Sequence, residues 1–379
     1  MVIQHDKPTI LFAILYWGLG HASRSIPIIK LLLDEGYKVV VCTDGPVVTF
    51  LEKELNANQD LNYEYLPPYN ISYKSDSMVW NITTQLPTIY NAYRKEKRVF
   101  KQLVSRHRPV ACFSDNRYGC LVSSVPCFFI GHQWNILGSK GRKLGLPSKI
   151  NQRFIRKFDA MLIPDDENIK LSKKLSADNS AFKRYFIGIQ SRFETLTKSS
   201  ATAYKFIAIL SGPEPARTRF ENQVLELFNN RHQLNPDESF TLIRGTNSDI
   251  DLRIPPFVNI YSLADSQQIL TAVGQAEWVI ARSGYSSLMD FYRLGLSKVI
   301  LVPTPGQTEQ EYLARTIDII GFHSIEQSKL SIKTIDAILS QTQNTASIDD
   351  FLRKKEINSF TEVWQTLQTI FAISKPIKT

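Results

Sequence analysis

The feature that most constrains this chain is an alternation of apolar, β-branched runs with helical periods that runs its course and then starts again. Thr9–Tyr16 is a predicted strand, followed by an amphipathic helix over His21–Glu35 that ends at Gly36. Tyr37–Thr43 is the next strand, closed by Asp44-Gly45-Pro46. After a long mixed stretch come a helix from about Thr84 to His107 and strands at Val110–Ser114, Cys127–Gly131 and Asp159–Ile163. The second round has strands at Lys205–Leu210, Phe240–Ile243, Val258–Tyr261, Trp278–Ala281 and Lys298–Val302, with helices between. Strand-helix-strand order with short turns calls for parallel, doubly wound sheets. The expected fold class is therefore α/β, with two Rossmann-like domains facing each other across a cleft. Ligands of such sheets bind at the carboxyl ends of the strands.

A length of 379 residues also favours two domains over one. The expected division is 1–170, then 185–345, with a boundary in the Ser/Lys-rich Leu171–Lys183. A helical C-terminal segment, 346–379, is expected to pack back on the first domain. The 43% hydrophobic and 21% charged fractions are those of a globular protein. No run of about 18 apolar residues suggests a transmembrane helix. The N-terminus lacks the basic region and cleavage site of a signal peptide. Cys42, Cys112, Cys120 and Cys127 form no C-x-x-C pair, and no histidine cluster has metal-ligand spacing. The chain is expected to be cytoplasmic, with reduced thiols and no metal or cofactor.

The net charge of +9 is uneven. Residues 94–157 carry fifteen Lys and Arg against two acids, Glu96 and Asp115. That excess suits an anionic membrane surface or a phosphate-bearing lipid; the alternative is a solvated basic face. No nucleic-acid recognition signature accompanies it, so no nucleic-acid partner is expected.

Two motifs carry chemistry. The first strand runs into Tyr16-Trp17-Gly18-Leu19-Gly20-His21-Ala22-Ser23-Arg24. Gly18 and Gly20 let backbone approach a ligand, and the helix start offers N–H groups to negative charge. Ser23 replaces the third glycine of a dinucleotide fingerprint. At the helix N-terminus the dipole keeps His21 neutral and available as a base; alternatively it only caps the helix. In the second motif, the strand ending at Ala281 leads into Arg282-Ser283-Gly284-Tyr285-Ser286-Ser287 and a helix carrying Asp290. Gly and small hydroxyl residues at a helix start make a diphosphate cradle, although such residues also serve as plain caps. Asp290 suits a ribose diol, and Gln310 and Glu311, opening the next helix, suit sugar hydroxyls. Asp115, in Ser114-Asp115-Asn116-Arg117-Tyr118-Gly119, is expected either to face the acceptor or to cap a turn.

The run Ala276–Ala314 resembles the donor-binding region of GT-B glycosyltransferases, with closest likeness to the peptidoglycan UDP-N-acetylglucosamine transferase and its family 28 relatives. Gly20-His21 resembles that family's acceptor loop, and Gly131-His132-Gln133-Trp134-Asn135 its His-Glu-Gln-Asn segment. Gly188-Ile189-Gln190-Ser191-Arg192 resembles its junction segment, and Ser211-Gly212 its second glycine-rich loop. The resemblance implies acceptor-side roles for Gly18, Gly20, Arg24, His132 and Asn135. It implies donor contacts from Arg192, Ser211 and Gly212 beside those of Ser283, Gly284, Tyr285, Ser286 and Ser287. Leu19, Pro213-Glu214-Pro215, Trp134 and Asp290 depart from the family pattern, which leaves the acceptor open.

The implied reaction is inverting, metal-independent transfer of N-acetylglucosamine or another hexose. The donor is a nucleotide-sugar, foremost a UDP-sugar, and the acceptor a glycan or lipid-linked hydroxyl at the inner face of the membrane. His21 is the base and Tyr261–Leu263 the nucleobase site. A sugar-nucleotide 2-epimerase and a non-catalytic sugar-nucleotide or glycan binder remain the alternatives.

Overall fold

The computed structural model describes residues 7–55, 57–70, 84–138, 140–178, 180–194, 196, 202–246, 255–317, 322–342 and 356–376. They fall into two compact units, the first made of residues up to 192 and again from 356, the second of residues 193 to 355.

The first unit contains β1 (Thr9–Ile14), α1 (Gly20–Asp34), β2 (Lys38–Thr43), α2 (Gly45–Leu55) and β3 (Leu61–Tyr65). It continues with α3 (Leu86–His107), β4 (Ala111–Asp115), β5 (Cys127–Ile130), α4 (Gly145–Ile155), β6 (Ala160–Ile163) and β7 (Arg184–Phe186). Its seven-stranded sheet has the order β3-β2-β1-β4-β5-β6-β7, with every pair parallel. A parallel sheet covered by helices is dry on both faces, so its strands are apolar throughout rather than alternating. In β1, Ile10, Phe12 and Ile14 enter one core cluster, and Leu11 and Ala13 the other.

The second unit contains β8 (Tyr204–Ile209), α5 (Ala216–Leu234), β9 (Phe240–Ile243), β10 (Val258–Tyr261), α6 (Ser266–Gly274) and β11 (Ala276–Ala281). Then follow α7 (Tyr285–Arg293), β12 (Val299–Leu301), α8 (Thr308–Thr316), β13 (Phe322–Ser324) and α9 (Ile332–Thr342). Its six parallel strands run β10-β9-β8-β11-β12-β13. In both sheets the order reverses beside the first strand, between β1 and β4 and between β8 and β11. At such switch points the loops leave in opposite directions and open a crevice.

The C-terminal helix α10 (Phe360–Ile370) returns to the first unit and places Phe360, Trp364 and Leu367 in its core. Asp166 Oδ2 accepts the Ile357 and Asn358 amides at 2.8 Å each and pins the returning chain. The part of the expected C-terminal helix before residue 356 lies outside the described residues.

Three elements differ from the sequence expectation. Asp44-Gly45-Pro46 follows the end of β2 at Thr43 but also opens α2, a helix the sequence pattern did not announce; a proline in the first helical turn loses no hydrogen bond. The Ser/Lys-rich segment after Ile169 belongs to the first unit, because buried Asp165 accepts the Leu171 and Ser172 amides at 3.0 and 2.7 Å. The units divide instead at 192/193. Strands β3, β7 and β13 were unread: they lie at sheet edges, where half-exposed residues carry no apolar signature.

Candidate functional site

The first switch point brings together His21, Arg24, Asp115 and His132. Asp115 ends β4 and pairs in register with Ile14 of β1, whose loop leads directly into α1. His21 lies in the first turn of that helix, so its ring meets the end of the neighbouring strand. Its Nδ1–H donates to Asp115 Oδ1 at 2.7 Å. Arg24, one turn on, donates from Nε to Asp115 Oδ2 at 2.8 Å and from Nη2 to Oδ1. Ser25 Oγ donates to Asp115 Oδ2 at 3.2 Å. His132, just past β5, places Nδ1 3.4 Å from Arg24 Nη1.

These contacts set the protonation states. Burial pushes the Asp115 carboxyl up, but Arg24 and His21 outweigh it and hold the group at about 2, ionised. An ionised carboxylate only accepts, so His21 carries its proton on Nδ1 and leaves Nε2 with a lone pair. Burial and the Arg24 charge push His21 below its ordinary value, against the opposing pull of Asp115. The arrangement is a neutral imidazole oriented by a buried carboxylate, which is the geometry of a general base.

Behind this group lies a second buried network. Arg117 donates to Ile14 O at 2.7 Å, Glu96 Oε2 at 3.0 Å and Asp44 Oδ1 at 3.1 Å. Glu96 in turn accepts the Gly119 amide at 2.7 Å. The ends of β1, β2 and β4 are thereby tied to α3, which fixes the Asp115 loop.

The other residues expected on the acceptor side are placed differently. Gly18 has φ +82° with open space where a side chain would stand, and Gly20 begins α1. Asn135 is absorbed in packing: its Nδ2 donates to Lys174 O and Ala177 O at 2.9 and 2.6 Å. Arg192, expected among the donor contacts, sits in the first unit, where Nη1 donates to Glu54 Oε1 at 2.9 Å.

The second switch point gathers most of the residues expected on the donor side, Arg192 excepted. Ser211 and Gly212 follow β8, and Gly212 has φ +101°. Gly284 is the N-cap of α7 and offers no side-chain cap. Tyr285 is buried, while Ser286, Ser287 and Asp290 are half-buried on the same helix. Ser283 Oγ donates to Gln310 O at 2.8 Å, and Gln310 Oε1 accepts the Thr304 amide at 2.9 Å. Glu311 Oε1 accepts the Gly306 amide at 3.0 Å. The side chains of Gln310 and Glu311 therefore hold the β12–α8 loop, and the Gln310 carbonyl joins it to the α7 turn. Tyr261 ends β10, and Ser262 and Leu263 follow it, with Leu263 37% exposed. Among the described residues no group of three or more His, Cys, Asp or Glu is placed to hold a metal ion.

Sequence reasoning placed Asp115 on the acceptor side without joining it to His21. The doubly wound strand order was the available signal, because it makes β1 and β4 neighbours and brings their carboxyl ends together.

No family model matches the chain. An uncharacterized glycosyltransferase of Methanosarcina acetivorans is 25% identical over 337 residues, 83% of this chain and 82% of the relative. The glycosyltransferase SnogD from Streptomyces nogalater superposes with a TM-score of 0.65 at 14% identity, covering 96% of this chain and all of that one. Phytolacca americana UGT2, solved with UDP-2-fluoro-glucose and pterostilbene, gives 0.64 at 12% identity over 96% of this chain and all of that one. The two parallel sheets with their helices thus have the GT-B fold of glycosyltransferase structures.

Proposed function

We propose that the chain is an inverting glycosyltransferase that moves a hexose or N-acetylhexosamine from a UDP-sugar to an acceptor hydroxyl. The observation that carries this reading is the His21–Asp115 pair at the first switch point, on a GT-B fold. The similarity to an uncharacterized glycosyltransferase along most of both chains supports it. So does the likeness to a structure holding UDP-2-fluoro-glucose.

His21 Nε2 takes the acceptor hydroxyl proton while the oxygen attacks the anomeric carbon. The bond from that carbon to the diphosphate oxygen breaks, and the electron pair leaves with the nucleoside diphosphate. One displacement inverts the anomeric centre. Asp115 keeps the proton on Nδ1 and stabilises the imidazolium as it forms; His21, as a well-placed base, contributes about 10²–10⁴-fold. The amides from Gly284 to Ser287, with Ser211, receive the charge developing on the leaving diphosphate. Asp290 accepts the ribose hydroxyls. No step in this reading is routed through a metal.

For the acceptor we propose a glycan or lipid-linked hydroxyl presented at an anionic membrane. Both acids of the basic segment are internal, Glu96 on Arg117 and Asp115 on Arg24, so its outer surface carries cations alone. Helices α3 and α4 meet through Tyr93 and Phe154, ring centroids 5.7 Å apart, with Lys157 Nζ over Phe154 at 4.4 Å. Leu86 and Tyr90 on α3 and Leu146 and Ile150 on α4 are exposed among those cations. Apolar side chains ringed by positive charge suit an anionic interface. Among the described residues no helix is long and apolar enough to cross a membrane.

A thermal-shift screen against UDP-, dTDP- and GDP-sugars tests the donor assignment, since a specific ligand raises apparent stability with its concentration. A rise with UDP-sugars is expected; no rise with any of the three sinks the reading.

A further inference from the structure

Among the described residues, the buried guanidinium groups other than Arg282 come with carboxylates. Arg24 is paired with Asp115, and Arg117 with Glu96 and Asp44. Arg217 and Arg244 share Glu221, and Arg231 binds Glu238. Arg282 is different. It is 1% exposed, yet among the described residues its polar partners are backbone carbonyls alone.

Its Nη1 donates to Val302 O at 3.0 Å and Pro303 O at 3.2 Å, and its Nη2 to Ala216 O at 3.2 Å. Its Nε has no hydrogen-bond partner. The guanidinium carbon stands 3.9 Å from the Phe220 ring centroid. Burial pushes the group down to about 9. Carbonyl dipoles and a π face soften the burial of a cation but do not neutralise it.

The location gives this charge a use. Val302 and Pro303 follow β12, Ala216 opens α5 after the Ser211-Gly212 loop, and Arg282 itself joins β11 to the Gly284 turn. The side chain therefore ties together the loops leaving β8, β11 and β12 around the second switch point. We propose that Arg282 is a positioning residue for the donor diphosphate. It braces these loops and holds beside the α7 N-terminus a positive charge that the fold leaves for an incoming anion to compensate. The proposal rests on the donor reading of the second unit. It adds that recognition of the diphosphate depends on a side chain hidden within the fold as well as on the amides of the turn.

Two substitutions separate charge from brace. Arg282→Gln keeps N–H donors for the carbonyls and removes the charge; Arg282→Lys keeps the charge and alters the brace. UDP, inorganic pyrophosphate and uridine are titrated calorimetrically into each folded protein. The expected result for Arg282→Gln is a loss of about tenfold or more in affinity for UDP and pyrophosphate, with uridine unchanged. Arg282→Lys is expected to keep the wild-type preference for UDP over uridine. Unchanged UDP binding in Arg282→Gln, or equal losses for UDP and uridine, would overturn the proposal. If Arg282→Gln does not fold, Arg282→Lys decides: a retained preference supports the proposal and a reduced one overturns it. A wild-type protein that binds pyrophosphate but neither UDP nor uridine retires the nucleotide donor and leaves the anion role of Arg282 standing.

Discussion

Trp364 Nε1 donates to Glu35 Oε2 at 2.8 Å, which joins the last helix of the chain to the end of its first. The Trp364 ring, fully buried, packs against Phe113 at 5.5 Å and edge-on against Tyr37 at 5.6 Å. A residue remote in sequence thus fills the core beneath β1, which leads into the His21 helix, and β4, which ends at Asp115. Trp364→Ala is expected to destabilise the first unit by about 3–5 kcal/mol, the range for truncating a buried aromatic. Urea unfolding followed by circular dichroism measures this; a loss below about 1 kcal/mol would mean the helix is dispensable to that core.

The buried carboxylate makes a sharper prediction. Asp115→Asn keeps the shape but can hold the His21 ring in the wrong tautomer and no longer stabilises an imidazolium. Transfer is expected to fall by about 10²-fold or more with UDP affinity intact. Steady-state kinetics with a matched titration of UDP separates the two effects. Retention of more than about a third of the wild-type rate would remove Asp115 from the mechanism.

The pH dependence follows from the directions of the shifts. Burial and Arg24 lower the His21 pKa, so the neutral base persists below the ordinary histidine value of 6.5. The acid limb of the rate profile is expected below pH 6.5. Arg24→Met removes a lowering influence, so that limb moves to higher pH. No movement would show that Arg24 does not tune the base. Stability has its own sign. Asp115 is lowered in the fold from 3.8 to about 2, so its contribution is complete above pH 4. It is lost as pH falls through about 2, and Asp115→Asn should flatten acid unfolding in that window.

The basic face yields a binding prediction. Replacing Lys149, Arg153 and Lys157 with Gln is expected to weaken binding to vesicles containing phosphatidylglycerol, at roughly 1 kcal/mol per charge removed. Binding to neutral phosphatidylcholine vesicles should stay weak in both proteins. Co-sedimentation at 0.1 M salt reads this, and equal binding to anionic vesicles would contradict a membrane role for this face.

Much of the architecture was legible in the sequence because buried parallel strands are continuous apolar runs, and nearly every interior strand in both units was readable that way. The edges were not. In Leu61–Tyr65 the residues are half-exposed or exposed, so nothing marks the segment as a strand until β2 is there to pair with it. The sites divide similarly. Gly284 and the serines around it form a local motif, visible within a few residues. The His21–Asp115 pair joins positions 94 apart in the chain, and only the strand order makes them neighbours. Arg282 left no trace of its burial, because its partners are carbonyl groups that any sequence supplies. Asn135 shows the opposite case: a polar residue in a functional-looking motif whose amide is spent on backbone carbonyls of the Lys174–Ala177 turn.

The most direct test compares wild-type protein with His21→Ala, using the sugar nucleotide that raises thermal stability most. Release of the nucleoside diphosphate on adding acceptor is followed alongside donor affinity. The account predicts that the variant binds donor as tightly as wild type and transfers at least about 10²-fold more slowly. Equal transfer rates in the two proteins would contradict a base at His21, and absence of transfer in both would favour a sugar-nucleotide binder.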